Sequence, residues 1–265
     1  MMETFVLGAI QGIAEWLPVS SEGMIVLAQT LFFDASGGFA EMVAFALWLH
    51  VGTFFAALVY FWRDVVVLLR GLFGYKKADK QTKSLLNFLV VSTLISGAIG
   101  FVLLKALEGF MEVLGGQAFW VVMLVGVSLL VTGYLQLSKK VVGVRKEKDV
   151  TMRDAVVLGI VQGFAIVPGL SRSGLTVAAL LLRKFHDVSS LRLSFLMSMP
   201  IVLGANIVLQ AGEMTLTSES LIGLFVAFVF GLITIHGLMV FARKVNVGLF
   251  VVLFGLLTIA SAFIL

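Results

Sequence analysis

Polar and apolar positions alternate along this chain on the scale of whole segments. Six apolar runs, near 42–62, 84–107, 118–138, 193–211, 220–242 and 246–265, are each about 20 residues long, the length at which an α-helix crosses a hydrocarbon core of roughly 30 Å. Two further apolar regions, about 3–32 and 151–184, are cut near the middle by Pro, Gly and Ser into halves of some 11 to 15 residues. Halves that short suit re-entrant hairpins, which enter and leave on one side of a membrane. The pattern predicts an all-α membrane protein with six transmembrane helices and two re-entrant helical hairpins.

Charge tests this arrangement, because a full span changes sides and a re-entrant pair does not. Threaded that way, all of the 19 basic residues except Lys105 and Arg172 fall on one side, which the positive-inside rule makes cytoplasmic. Asp34, Glu41, Glu108, Glu112, Glu213 and Glu219 fall on the other. Both termini are then expected outside, with the first hairpin dipping from outside and the second from the cytoplasm. Each half carries one broken hairpin and three spans. Because three is odd, residues 1–265 read as a single integral membrane domain whose halves, about 1–138 and 151–265, form an inverted-topology repeat. Interruptions at corresponding places in the halves of such a repeat point to a midplane site. A transporter of anions uses the same architecture, and that reading stays open here.

Composition agrees: 60% of residues are apolar and 13% charged, with a mean hydropathy of +1.10, too apolar for the surface of a soluble domain of this size. The absence of cysteine excludes disulfide and thiolate chemistry. A net charge of +4 would suggest nucleic acid in a soluble chain, but these cations sit in short loops that orient the protein in a bilayer. The start, Met1-Met2-Glu3, lacks the basic region of a secretory signal, so the first apolar segment is expected to be retained. Residues 63–83 mix basic and apolar positions and fit either a segment lying on an anionic leaflet or a solvated loop.

The candidate chemistry lies at the two interruptions. The first reads Gln11-Gly12-Ile13-Ala14-Glu15-Trp16-Leu17-Pro18-Val19-Ser20-Ser21-Glu22-Gly23, and the second Gln162-Gly163-Phe164-Ala165-Ile166-Val167-Pro168-Gly169-Leu170-Ser171-Arg172-Ser173-Gly174. Gln11 and Glu15 stand four apart and share a helix face. A buried carboxylate beside a serine can take the hydroxyl proton as general base, or hold a divalent cation that bridges to phosphate; it can also be a structural partner for an arginine. In the second copy a half-helix opens after Pro168. Its free N–H groups form an anion site to which Ser171, Ser173 and Thr176 add donors, and Arg172 can fork two bonds onto phosphate oxygens. An arginine at the centre of a membrane helix costs roughly 2.5–3.5 kcal/mol on insertion scales, so it implies a counter-ion or ligand. Gly169 to Thr176 has the glycine spacing of a phosphate-binding nucleotide loop, but Leu175 stands where that loop needs lysine. His50 lies within a span and is read as packing before proton transfer.

Motifs of this kind resemble the undecaprenyl-diphosphate phosphatase family, the bacitracin-resistance type of integral membrane phosphatase. The likeness covers essentially the whole chain: the (Glu/Gln)-x-x-x-Glu motif with Pro-Val-Ser-Ser-x-Gly at 11–23, Pro-Gly-x-Ser-Arg-Ser-Gly at 168–174, and Ser-Phe-Leu at 194–196 before Pro200. The resemblance implies hydrolysis of a polyprenyl diphosphate lipid to the monophosphate at the extracytoplasmic side, assisted by a divalent cation, Mg or Ca. It makes Glu15 the base or metal ligand and Ser21 the candidate nucleophile, with direct water attack an open alternative. Arg172, Ser171, Ser173, Gly174 and Thr176, with Gln11 and Ser20, would bind the diphosphate. Two positions depart from the family pattern. Gln11 replaces a frequent glutamate, and Met24 stands where the family has the histidine of Ser-Ser-x-Gly-His. Glu22 is therefore expected to supply the second carboxylate, as catalytic group and metal ligand beside Glu15. Membrane lipid is the expected partner, nucleic acid is not, and a homodimer is left open. The alternative function on this scaffold is a polyprenyl-phosphate or other anion transporter.

Overall fold

The computed structural model describes residues 1–33, 39–114, 118–137, 143–210, 217–241 and 247–263. Among them there are eleven α-helices and no strand: α1 (Met2–Ala14), α2 (Ser21–Phe32), α3 (Phe39–Tyr60), α4 (Trp62–Phe73), α5 (Lys80–Val113), α6 (Ala118–Leu137), α7 (Met152–Gly163), α8 (Arg172–Leu182), α9 (Asp187–Gln210), α10 (Ser218–Phe241) and α11 (Val247–Ala262). Both regions expected to break do so, between α1 and α2 and between α7 and α8. Five helices, α3, α5, α6, α9 and α10, are long and apolar enough to cross a membrane. The sixth expected span corresponds to α11, whose apolar run Val251–Ala262 is shorter than those five. Of the loop charges, Asp34, Lys139, Lys140, Glu213, Arg243 and Lys244 lie outside the described residues.

Helix ends follow local chemistry. Asp79 caps α5 by accepting from the backbone N–H groups of Gln81 and Thr82 at 2.9 and 3.0 Å, leaving α5 to run 34 residues, well beyond the expected 84–107. Thr151 and Asp154 form a reciprocal capping box at the start of α7. Residues 62–73 form a helix of their own, with Val67, Leu69, Leu72 and Phe73 exposed, so the first part of the 63–83 segment is an amphipathic helix and not a solvated loop.

Glycines set how closely the broken helices approach their neighbours. α1 packs on α10 and α7 on α5. A Cβ added at Gly12 would fall 2.6 Å from the Cβ of Phe230, and one added at Gly163 would fall 2.7 Å from the Cβ of Ile99. Gly8–Gly12 and Gly159–Gly163 thus form small-residue faces of the kind that lets membrane helices touch. Two apolar clusters flank the broken helices. One gathers Val26, Leu27, Val121, Val122, Val125 and Leu129, with Met24 packed against it. The other holds Trp16, Phe61, Phe88, Phe185 and Phe195, where Trp16 meets Phe195 edge-on at 4.9 Å.

At the base of α7 the side chain of Asp154 is completely buried. Its carboxylate accepts from Arg145 at 2.6 and 3.2 Å, from the Thr151 hydroxyl at 2.6 Å, and from Arg183. Burial pushes the Asp154 carboxyl up, but the hydrogen bonds from Arg145, Thr151 and Arg183 outweigh it and hold the group at about 2. Nearby, Arg192 of α9 pairs with Asp64 of α4. The described basic loops are therefore stitched to one end of the bundle.

Candidate functional site

The two interruptions meet. After α1 the chain turns through residues 15–19, and Ser20 takes up a left-handed conformation with φ 63°. Its hydroxyl caps α2 by accepting from Gly23 N at 3.2 Å and also accepts from Gly169 N in the second hairpin at 3.0 Å. Gly169 has φ +95°, and a Cβ there would fall 2.5 Å from the carbonyl oxygen of Val125. A Cβ at Gly23 would fall 2.7 Å from Gly169 N. Two glycines are thus required for the contact between tips. Thr132 of α6 braces the second tip, donating to Gly169 O at 3.1 Å and accepting from Ser171 N at 3.2 Å. Ser173 donates across the junction to Leu17 O at 2.9 Å.

Glu15 sits at the centre and is buried. Its Oε1 is paired with Arg172 Nη2 from the opposite hairpin. Its Oε2 accepts from Ser21 Oγ at 2.8 Å and from Gln11 Nε2 at 3.0 Å, and lies 3.1 Å from His50 Nε2. His50 Nδ1 lies 2.7 Å from Ala46 O, so both ring nitrogens face oxygen acceptors, and a ring donating to both is the imidazolium. Four donors therefore converge on one carboxylate, which accounts for a charge so deep in apolar surroundings. The guanidinium of Arg172 also donates to Ser194 O of α9 at 3.3 Å and stands 6.0 Å over the ring of Trp16.

A cavity of about 440 Å³ opens beside this junction. Its polar end is lined by Glu15, Ser20, Ser21, Glu22, His50, Ser171, Arg172 and Ser173; the rest is largely apolar wall from α5 and α9, including Leu94, Phe101, Ile201 and Val208. Glu22 is buried with its Oε1 unpartnered among the described residues, which costs about 1–3 kcal/mol or more unless a ligand answers it.

Of the residues singled out from the sequence, Gln11, Gly174 and Thr176 do not line the cavity. Gln11 holds Glu15 and Thr53, the Gly174 N–H donates to Ser171 Oγ at 3.1 Å, and Thr176 donates to Arg172 O at 2.8 Å and meets Ser194 Oγ at 2.7 Å. They shape the site from behind. The bond from His50 to Glu15, made from within a span, carries no local sequence signal. Thr132 and Ser194 also belong to the junction, and of these only Ser194 lay in a recognised motif.

No group of three or more His, Asp or Glu side chains converges on a metal position among the described residues. Both Glu15 oxygens are engaged by protein donors, so the free carboxylate oxygen is that of Glu22. One carboxylate plus phosphate oxygens and water is a donor set that Mg²⁺ accepts.

A family model, bacitracin resistance protein BacA, matches residues 4–260. The chain is 42% identical to an undecaprenyl-diphosphatase of Methanococcoides burtonii over 272 residues, covering all of this chain and 99% of that protein. It is 36% identical to an undecaprenyl-diphosphatase of Haloarcula marismortui, covering 92% and 91%. An undecaprenyl-diphosphatase of Desulforudis audaxviator is 35% identical, with 98% and 97% covered.

Proposed function

The chain belongs to the bacitracin resistance protein BacA family, and from that membership we propose that it is an undecaprenyl-diphosphatase. It is a membrane hydrolase that releases inorganic phosphate from the carrier-lipid diphosphate and leaves the monophosphate. The observation that carries this reading is the junction itself. One hairpin brings a carboxylate hydrogen-bonded to a serine, the other brings a guanidinium, and both face a cavity with one polar end and one apolar flank. The diphosphate head lies at the polar end while the prenyl chain follows the α5 and α9 wall toward lipid.

In this mechanism the terminal phosphate engages Arg172 and the N–H groups that open α8, drawing the guanidinium from Glu15. Glu15 then accepts the Ser21 proton as Ser21 Oγ attacks the terminal phosphorus. The bond from that phosphorus to the bridging oxygen breaks, and prenyl monophosphate leaves with the electron pair. Water hydrolyses the phosphoserine to inorganic phosphate. His50, on Glu15 Oε2, takes the part in proton transfer that Met24 cannot. A divalent cation, when bound, neutralises diphosphate charge, and Glu22 is the residue that would hold it.

The topology belongs to the same proposal: six spans, two re-entrant hairpins, halves of about 1–138 and 151–265 in inverted orientation, and both termini extracytoplasmic. Helix pairings support it. α1 packs on α10 as α7 packs on α5; α3 packs on α10 as α9 packs on α5; and α3 with α9, like α6 with α11, pairs equivalent elements. Exchanging the halves maps these contacts onto one another.

Purified protein in detergent with Mg²⁺ should release phosphate from undecaprenyl diphosphate, and Ser21→Ala should reduce kcat by at least about a hundredfold. Acid quench should trap phosphoserine in the wild type. Full turnover by Ser21→Ala would assign the attack to water, and no release by the wild type would overturn the hydrolase reading.

A further inference from the structure

Three residues that line the cavity each carry a buried side-chain atom with no partner among the described residues: Glu22 Oε1, Gln162 Oε1 and Thr93 Oγ1. Glu22 belongs to the first hairpin tip. The other two lie elsewhere, on α7 and α5, with no role in the chemistry above.

Gln162 is 4% exposed. Its Nε2 donates to Ser96 Oγ at 3.1 Å, and Ser96 Oγ donates to Thr93 O at 3.1 Å. When the amide turns over and Ser96 Oγ swings its one hydrogen from Thr93 O to Gln162 Oε1, the bond to Ser96 is kept and the NH₂ group takes the unpartnered side. Gln162 follows Gln11 by 151 positions, and the same offset from Glu15 reaches Ile166. The Gln11 amide nitrogen is held by Glu15 and Thr53, and its Oε1 is likewise without a partner among the described residues, but Gln11 does not line the cavity, whereas Gln162 does and has no carboxylate at the equivalent place. The wall beside it is open. A Cβ at Gly97 would meet only Ile201 Cδ1 at 3.7 Å, and one at Gly100 would come no closer than 3.7 Å, to Gly163 O. The ionisable groups of the cavity are Glu15, Glu22, His50 and Arg172, so the Gln162 wall offers neutral donors only.

The two phosphates of a prenyl diphosphate differ in the same sense. The terminal one carries up to two negative charges and suits a guanidinium, whereas the ester-bearing one carries a single charge and adjoins the apolar chain. We infer that Gln162 and Thr93 form a neutral subsite for the lipid-linked phosphate, the group retained in the product, while Arg172 holds the phosphate that departs. This rests on the diphosphatase reading. Leu94, Phe101 and Ile201, on the same cavity wall, receive the first isoprene units.

Product inhibition separates the two subsites. With full-length enzyme in detergent and undecaprenyl diphosphate as substrate, Gln162→Leu should raise Ki for undecaprenyl monophosphate about ten- to a hundredfold, the loss of a hydrogen bond to a charged phosphate, and raise KM in parallel. Inhibition by inorganic phosphate should stay within about twofold of wild type. Thr93→Val, a smaller change that tests the same wall without touching α7, should shift the same constant in the same direction. Arg172→Lys should show the converse, weakening inorganic phosphate more than the monophosphate. An active wild type whose monophosphate Ki is unmoved in both Gln162→Leu and Thr93→Val, or whose two inhibitors weaken alike in them, overturns the subsite alone. A wild type that hydrolyses no undecaprenyl diphosphate overturns both readings.

Discussion

Replacing Arg172 with glutamine tests the junction most directly, because the side chain is engaged on three sides. It pairs with Glu15, donates to Ser194 O and lies over Trp16. The side chains of Arg172 and Glu15 are only 14% and 5% exposed, so solvent does little to replace the lost partner. Removing one member of a buried pair typically costs about 3–5 kcal/mol, but Glu15 keeps His50, Ser21 and Gln11 as donors. The expected loss is therefore nearer a single charge-assisted hydrogen bond, about 1.5–3 kcal/mol. Glu15→Gln made together with Arg172→Gln leaves no uncompensated charge and should cost less than the sum of the single changes, a coupling of about 0.5–3 kcal/mol. Denaturant unfolding in detergent measures both quantities. Phosphate release should fall about 10²- to 10³-fold in Arg172→Gln, as for loss of one preorganised donor to a transition state, and Arg172→Lys should fall between the two. An Arg172→Gln protein with wild-type stability and turnover within about threefold of wild type would refute the reasoning.

Other perturbations probe the supports of the site. Gly23→Ala places a Cβ 2.7 Å from Gly169 N; because the obstacle is backbone, the tips must separate, with about 1–3 kcal/mol of lost stability and weaker phosphate release. Met24→His puts an imidazole against the cluster of Val121, Val125 and Leu129, so it should lower the unfolding midpoint and leave kcat within about tenfold of wild type; a larger gain would show that the motif histidine can reach the reaction. Asp154, held at about 2 against 3.8 for the free side chain, contributes stability that is present above pH ~4 and is lost as pH falls toward 2, its lowered pKa meaning that the unfolded chain protonates first. Asp154→Asn should accordingly be less stable than wild type at pH 6, with the gap in midpoint closing between pH 4 and pH 2.

The parts of this molecule legible in its sequence are those that local chemistry enforces. Pro18 and Pro168 with their flanking glycines and serines cannot continue a helix, so both breaks were readable. Arg172 in an apolar run demanded a counter-ion, and Glu15 was the acid placed to meet it; the structure joins them. Lengths were less legible, because α5 extends past its apolar run in both directions under the Asp79 cap and through polar positions that hydropathy does not count. The bond from His50 to Glu15 was invisible because it depends on how α3 packs against the first hairpin. Gln162 has a recognisable place in the second copy, but its position on the cavity wall with an amide atom unpartnered among the described residues follows from Ile166 standing at the position of Glu15, together with the bare flank of α5. The cluster of Arg145, Asp154 and Arg183 likewise arises from chain segments that only the folded protein brings together.

Glu15 and Arg172 are 157 positions apart, which has a bearing on biosynthesis. The ribosome delivers the acid to the bilayer long before its guanidinium partner has been translated, and a lone carboxylate in hydrocarbon would be expelled. Gln11, Ser21 and His50 are all made within the first fifty residues, so the nascent first half carries its own solvation for that anion. Arg172, arriving late, finds the acid already lodged, and Ser194, made 22 residues later, adds a neutral acceptor. The order of synthesis thus matches the order in which the charges can be sheltered, and a protein truncated before Arg172 should still insert its first hairpin while remaining inert.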